Sequence, residues 1–271
     1  NLPEMMNFPT ASGVYVAEKK AQAVARPVDR AMLPSNSPRE TQIRTLRTEP
    51  FNNVANALEL NANDTYLDLA GGPGTYTALA SGKVKEAIYL DISDKNIPMV
   101  TELLRFVNNP EVASNPAVMG RLGNTKMLHI DHELTKLQKS FTPSADMPSN
   151  VMVMRGDATQ IALGDNSVDK VSVTDLFRWA GDKPVLNEMI RITRPQGLMY
   201  VKHDMISSDK DKNVQSFSDA VIKLAGEQGA KLEAAKFEPN GAIVFKVIDK
   251  VNPQKKDDLA DRAILSRVDG I

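Results

Sequence analysis

Residues 65–74 read Thr65-Tyr66-Leu67-Asp68-Leu69-Ala70-Gly71-Gly72-Pro73-Gly74, and this stretch decides the fold. Residues 65–69 have strand character, the turn that follows carries three glycines, and residues 75–81 resume with helical character. A strand, a glycine turn and a helix in that order form the repeating unit of a parallel sheet. Gly71, Gly72 and Gly74 let the backbone come close to a bound ligand, since no β-carbon intervenes and a positive φ costs glycine little.

Working outward, a second strand at 87–90 ends in Asp91, and a helix with Ile97, Val100, Leu104 and Val107 on one face follows. Strands are also expected at 151–154, ahead of Gly156-Asp157, at 168–174, ahead of Asp175, and at 198–201. Between the last two, Asp182 and Pro184 open a helix that Pro195 and Gly197 close. A helix marked by Val214, Phe217, Val221 and Leu224 leads to two strands facing each other across Pro239-Asn240-Gly241, a hairpin signal. The expected architecture is α/β: a doubly wound, mostly parallel seven-stranded sheet with a C-terminal antiparallel hairpin.

Several segments lie outside that frame. Residues 1–37, rich in proline, read as an irregular N-terminal arm with one helical stretch at 16–25. Helical spacing from Arg39 to Leu60 is divided by Pro50. Residues 109–149 read as an insertion between strands two and three, with one helix striped by Ile130, Leu134, Leu137 and Phe141. The main domain is expected over 38–250, with a tail at 251–271. The chain opens at Asn1 rather than Met, which marks it as trimmed, processed or partial, and its first residues lack an apolar signal core.

Composition excludes several function classes. The 271 residues carry 33 Lys+Arg against 34 Asp+Glu, so no global positive field exists to hold nucleic acid. With no cysteine, disulfides, thiolate zinc sites and cysteine nucleophiles are all removed. Apolar runs fall far short of the roughly 18 residues a membrane-spanning helix needs, so no membrane crossing is expected. The compartment stays open, with the cytoplasm favoured.

Ligands of such sheets sit at the carboxyl ends of the strands. Asp91, Asp157 and Asp175 all fall there, and Asp91, about twenty residues beyond the glycines, is placed to accept the hydroxyl hydrogens of a ribose. A nicotinamide fingerprint fails, because the third glycine position of the series beginning at Gly72 is held by Thr77.

These residues resemble the class I S-adenosylmethionine-dependent methyltransferases over 66–250. Leu67-Asp68-Leu69-Ala70-Gly71-Gly72-Pro73-Gly74 is similar to their first motif, with Ala70 where the first glycine is usual. Tyr89-Leu90-Asp91-Ile92 resembles the acidic strand end. Arg155-Gly156-Asp157-Ala158 with Gly164-Asp165-Asn166-Ser167-Val168-Asp169, and Leu186-Asn187-Glu188-Met189-Ile190-Arg191 through Pro195-Gln196-Gly197, complete the series. The resemblance implies S-adenosyl-L-methionine as cofactor. Gly72 and Gly74, with Ala70 and Gly71 in the same turn, border its methionine portion, and Asp68 anchors its amino group. Asp91 and Ile92 hold the ribose, Asp157 and Ala158 the adenine, and Asp175 closes the strand-four side.

Two departures bear on the acceptor. Arg178-Trp179 stands where many small-molecule members have paired histidines; Arg178 suits a carboxylate or phosphate and Trp179 an apolar or cationic group. The insertion and residues 1–37 are expected to cover the acceptor side. His203 or Asp175 is the candidate base. His129, Asp131, His132 and Glu133 read as a solvated helix face, and no metal is expected.

The expected function is methyl transfer to a small molecule. An RNA ribose 2′-O-methyltransferase using Asp175 and Lys202, with Glu238 and Lys19 or Lys20 completing a Lys-Asp-Lys-Glu set, is the alternative; a non-catalytic binding module is a third. Nucleic acid is possible but not favoured as partner, and the oligomeric state is unreadable. Thr174-Asp175-Leu176-Phe177 lacks the two prolines of amino-directed enzymes acting on bases or glutamine, and pyrimidine carbon methylation through a cysteine adduct is impossible here.

Overall fold

The computed structural model describes residues 50–125, 129–174, 176, 182–202 and 210–250. The expected arm, its helix at 16–25 and the tail at 251–271 lie outside the described residues.

A helix, α1 (Phe51–Ala57), begins directly after Pro50, whose fixed φ suits the position before a first turn. Strand β1 (Thr65–Leu69), helix α2 (Thr75–Ala80), strand β2 (Glu86–Asp91) and helix α3 (Asn96–Val107) follow. The insertion holds α4 (Pro110–Ala113), α5 (Pro116–Asn124) and α6 (Ile130–Leu137). Then come β3 (Val151–Arg155), β4 (Val168–Thr174), α7 (Asp182–Ile192), β5 (Thr193–Lys202), α8 (Lys210–Glu227), β6 (Ala230–Phe237) and β7 (Ile243–Lys250).

The seven strands form one sheet in the order β3-β2-β1-β4-β5-β7-β6. The four pairings among β1 to β5 run parallel, and β7 is antiparallel to both β5 and β6. This is the expected sheet, with its closing hairpin turning at Gly241, whose φ is +84°. The strand order reverses between β1 and β4, so the crevice for a ligand opens above their carboxyl ends.

Strand β1 is buried on both faces, as a central parallel strand must be. One face carries Tyr66, Ala87, Tyr89, Val151, Val153 and Tyr200 and is covered by α1, α2, α3 and the insertion helices. The other carries Leu67, Leu69, Leu90, Val171, Val173 and Phe245, under α7 and α8. Two apolar layers thus clamp the sheet and fix the register of every strand.

Among its described residues the insertion has three helices where its apolar stripe predicts one. Asn109 and Asn115 each cap the helix behind them, their Oδ1 atoms accepting from Glu111 and Val112 and from Ala117 and Val118, with proline as the first helical residue in both. Val112, Val118, Leu122, Ile130, Leu134 and Leu137 are buried in the same cluster as α1 to α3. The insertion is therefore a packed layer of the fold.

A second difference lies at β5. The helix before it ends at Ile192, and the strand begins at Thr193, opposite Val168, before pairing resumes at Leu198 opposite Lys170. Residues 194–197 make a bulge in between, with Gln196 at φ +68°. Gly197 is required there: a β-carbon would lie 2.7 Å from the Asp169 carbonyl oxygen and 2.7 Å from Thr193 Cγ2. Arg194 fixes the bulge by donating to both Asp169 carboxylate oxygens, at 2.9 and 3.0 Å. Pro195 and Gly197 thus shape a strand, where the sequence reads them as a helix stop.

Candidate functional site

Between β1 and α2 the chain turns in five residues, 70–74, held by backbone bonds to β2. Ala70 and Gly71 both donate to the Leu90 carbonyl, at 2.7 and 3.3 Å. Ala70, Gly72 and Gly74 have φ of +56°, +53° and +79°. Ala70 adopts the left-handed conformation that glycine would take freely, at a cost of about 1 kcal/mol. Its pinning to β2 maintains that conformation.

Asp68, from β1, points under this turn and is 3% exposed. Its Oδ2 accepts from the backbone nitrogen of Thr77 at 3.1 Å and from the Thr77 hydroxyl at 3.0 Å. The residue before α2 is Gly74, which has no side chain to cap the helix, so Asp68 supplies the missing acceptor from a neighbouring strand. Burial raises the Asp68 carboxyl to about 7, opposed by both Thr77 bonds and reinforced by the charge of Asp91.

Asp91 ends β2 and is 8% exposed. One carboxylate oxygen accepts from Gly72 N at 2.9 Å and the other from Ser93 N at 2.8 Å. Its carbonyl accepts from Gly156 N at 3.0 Å, which brings the end of β3 alongside. Tyr89, two residues earlier on the same face, donates its hydroxyl to the Gly72 carbonyl at 2.6 Å. Burial, then the charges of Asp91 and Asp68, push the Tyr89 phenol up, so it keeps the proton it donates. The sequence reading overlooked Tyr89 and Thr77; their signal is an aromatic and a hydroxyl on the inward face beside the glycine turn.

Asp157 sits two residues beyond β3. Its Oδ1 accepts from Thr159 N and from the Thr159 hydroxyl, both at 2.8 Å, which closes a tight turn under the buried Ala158. The loop continuing to β4 is clamped from α7. Glu188 accepts from Ile161 N at 2.6 Å, and Arg191 donates to the carbonyls of Ile161 and Leu163 and to Asp165. The Asp165 and Arg191 segments, read as separate sequence pieces, are two halves of one clamp. Ile92, adjoining Asp91, is 66% exposed at the strand ends. Arg155 pairs with Asp94 at 2.6 Å beside it.

The structure thus gathers Asp68, Ala70, Gly71, Gly72, Gly74, Asp91, Ile92, Asp157 and Ala158 around the ends of β1, β2 and β3. Asp175, Arg178, Trp179 and His203 lie outside the described residues, as do Lys19 and Lys20. Lys202 is 6% exposed at the end of β5, in register with Thr174. Glu238, in the turn after β6, pairs with Lys236 at 2.7 Å. Among the insertion acids, Glu133 is engaged by Arg121 and Lys136. Among the described residues no helix is long and apolar enough to cross a membrane.

Comparison with known proteins adds to this geometry. Residues 112–201 match the family model of a methyltransferase domain. That match bears out the methyltransferase resemblance; it takes in the pieces at 155–158, 164–169 and 186–197 and begins beyond the glycine turn. No curated protein matches the chain. Among solved structures, a SAM-dependent methyltransferase from Aquifex aeolicus is 15% identical with a TM-score of 0.44, covering 77% of this chain and 98% of that one. The YcgJ protein from Bacillus subtilis is 13% identical, TM-score 0.40, covering 75% and 99%. Phosphoethanolamine N-methyltransferase 1 from Haemonchus contortus, solved with phosphoethanolamine and S-adenosylhomocysteine, is 14% identical, TM-score 0.48, covering 80% and 46%.

Proposed function

We propose that this chain transfers the methyl group of S-adenosyl-L-methionine to a small-molecule acceptor. The observation that carries the reading is the convergence of Asp68 and Asp91 on a turn of three glycines at the switch point of the sheet. Two further features fit the cofactor. Among the described residues no cation acts on the buried Asp68 carboxyl, and the buried Thr75 hydroxyl at the start of α2 has no hydrogen-bond partner there. A ligand with an ammonium group and polar hydroxyls answers both needs.

When bound, the cofactor supplies an electrophilic methyl on a sulfonium. The chain's residues hold it in place: Asp68 takes the amino group, Asp91 with Ile92 the ribose, Gly72 and Gly74 flank the methionine portion, and Asp157 and Ala158 border the adenine. Aligning nucleophile, methyl and sulfur supplies much of the acceleration in such a displacement, so the acceptor side is chiefly a matter of positioning. On this reading Arg178 and Trp179 bind the acceptor, and His203 or Asp175 takes a proton where the acceptor atom requires it.

Transfer of labelled methyl should appear in a low-molecular-weight extract and not in total RNA. Label in RNA that is lost on Lys202→Ala, with cofactor binding intact, would replace the small-molecule acceptor with a ribose hydroxyl.

We further propose that the insertion shields the acceptor. Its α5 reaches the crevice end of the molecule: Asn52 Nδ2 donates to Asn124 Oδ1 at 3.0 Å, and the neighbouring Phe51 ring meets Tyr76, in the first turn of α2, at 6.1 Å between centroids. Hydrogen exchange at 116–137 should slow at least several-fold when S-adenosylhomocysteine binds. Protection confined to 70–77 and 91–93 would count against a shielding role.

A further inference from the structure

Gly72 is held at both ends of its own backbone by side chains of one strand. Its N–H donates to Asp91 Oδ2 at 2.9 Å, and its carbonyl accepts from the Tyr89 hydroxyl at 2.6 Å. Residues two apart on a strand share a face, so β2 presents the acid and the phenol side by side, with the turn laid across them. Gly72 needs such a hold: its φ is +53°, between Ala70 at +56° and Gly74 at +79°, and glycine leaves that backbone many alternatives.

The Tyr89 ring has no room to move. It is fully buried, and a β-carbon on Gly71 would lie 2.8 Å from its Cε2. The hydroxyl also engages the side chain of Asn96, the first residue of α3. Phenylalanine would fill the same space, so packing alone does not call for the oxygen. What the oxygen adds is a fixed direction for the Gly72 carbonyl, which is free to turn toward water once its donor is gone. Asp91 keeps its own two bonds in that event, to Gly72 N and Ser93 N.

We propose that Tyr89 is a positioning residue for the methyl donor: it sets the Gly72 carbonyl, and with it the peptide that borders the donor's amino-acid portion. This rests on the cofactor reading above and extends it to a residue that touches the turn and not the ligand. The two side chains of β2 thereby divide the donor between them. Asp91 serves the ribose end, and Tyr89 acts through Gly72 on the amino-acid end. Removing the phenol oxygen therefore weakens ligands that carry the amino-acid portion and spares those that end at the thioether.

Titration calorimetry with S-adenosylhomocysteine and 5′-methylthioadenosine tests this division, since the second probe keeps the adenosine and the thioether but has no amino-acid portion. Tyr89→Phe should bind S-adenosylhomocysteine roughly ten-fold more weakly and change the Kd of methylthioadenosine by less than about two-fold. A carbonyl signature accompanies it. Gly72-Pro73 is the sole Gly-Pro step in the sequence, so glycine labelled with carbon-13 at the carbonyl, together with nitrogen-15 proline, singles out the Gly72 carbonyl by its one-bond coupling. In the free chain that resonance should move upfield in Tyr89→Phe; an unmoved resonance would show that the phenol does not hold the carbonyl. If the variant fails to fold, the labelled wild type decides: S-adenosylhomocysteine should shift the Gly72 resonance and methylthioadenosine leave it in place, and an equal response to both would overturn the proposal. Equal weakening of the two probes in Tyr89→Phe would make Tyr89 a support of the whole pocket and overturn it as well. Unchanged binding of S-adenosylhomocysteine by the variant would overturn it while leaving the cofactor reading standing, whereas a wild-type chain that binds neither probe would remove both.

Discussion

Gly74→Ala should lower the stability of the folded chain by about 3 to 5 kcal/mol. Two effects add. The backbone at Gly74 has φ +79°, which costs a residue with a β-carbon roughly 1 kcal/mol. The new methyl would stand 2.1 Å from Val100 Cγ2, 2.4 Å from its Cβ and 3.1 Å from its Cα, so helix α3 must shift bodily and not merely turn a side chain. Such overpacking costs about 1 to 3 kcal/mol, and more where backbone is involved. For a domain of this size the melting temperature should fall by roughly 10 °C or more. Gly120→Ala is the internal control, because it lies inside α5 with nothing within 4 Å of the added carbon. It should raise stability by about 0.5 to 1 kcal/mol through helix propensity alone. Equal melting temperatures for the two variants would show that the α2–α3 contact is looser than these distances say.

The Gly74 result separates what the sequence discloses from what it hides. A glycine turn between a strand and a helix is legible because only backbone geometry demands it, and the order of strands follows from the alternation of apolar runs. That Gly74 is packed against Val100 is not legible, since 26 residues of chain separate them. Ala70 illustrates the reverse case. Read as a departure from the usual glycine, it takes the same left-handed backbone, because two bonds to Leu90 fix the turn from outside. The two insertion helices that the apolar stripe does not announce were within reach: Asn109-Pro110 and Asn115-Pro116 each join an N-cap residue to a residue suited to a first helical position. Counting prolines as punctuation hid them.

The candidate site was legible to a similar depth. Asp91 and Asp157 fall at strand ends, where an acidic residue stands out. Asp68 reads as an anchor or a cap, and the structure gives it the cap through Thr77 while leaving it beside the turn. What sequence cannot supply is its depth of burial, 3% exposed, which Thr77 of α2 and the glycine turn bring about together. The clamp of Arg191 on the loop to β4 is likewise invisible, because its acceptors at Ile161 and Leu163 are carbonyls that any residue could provide.

Asp91→Ala should weaken S-adenosylhomocysteine binding at least 100-fold, about 3 kcal/mol, for two reasons that the geometry joins. On the proposed function the carboxylate accepts from the ribose hydroxyls, and charged hydrogen bonds of that kind contribute about 1.5 to 3 kcal/mol. The same two oxygens accept from Gly72 N and Ser93 N, so their loss also frees the turn that borders the methionine portion. Asp91→Asn tests this double duty. An amide has one accepting oxygen for two backbone donors on opposite sides, so one N–H must face an amino group whichever way the side chain is turned. Asparagine should therefore be nearly as damaging as alanine, within about five-fold in Kd, although it is almost the same shape as aspartate. The 2′-deoxyribose analogue of the ligand isolates the ribose part: wild type should lose roughly ten-fold or more in affinity on its removal of one hydroxyl, and Asp91→Ala should not distinguish the two ligands. A wild-type chain that binds both equally would move the ribose away from Asp91, and near-normal binding by Asp91→Asn would mean that the carboxylate does not hold both ends of the turn at once.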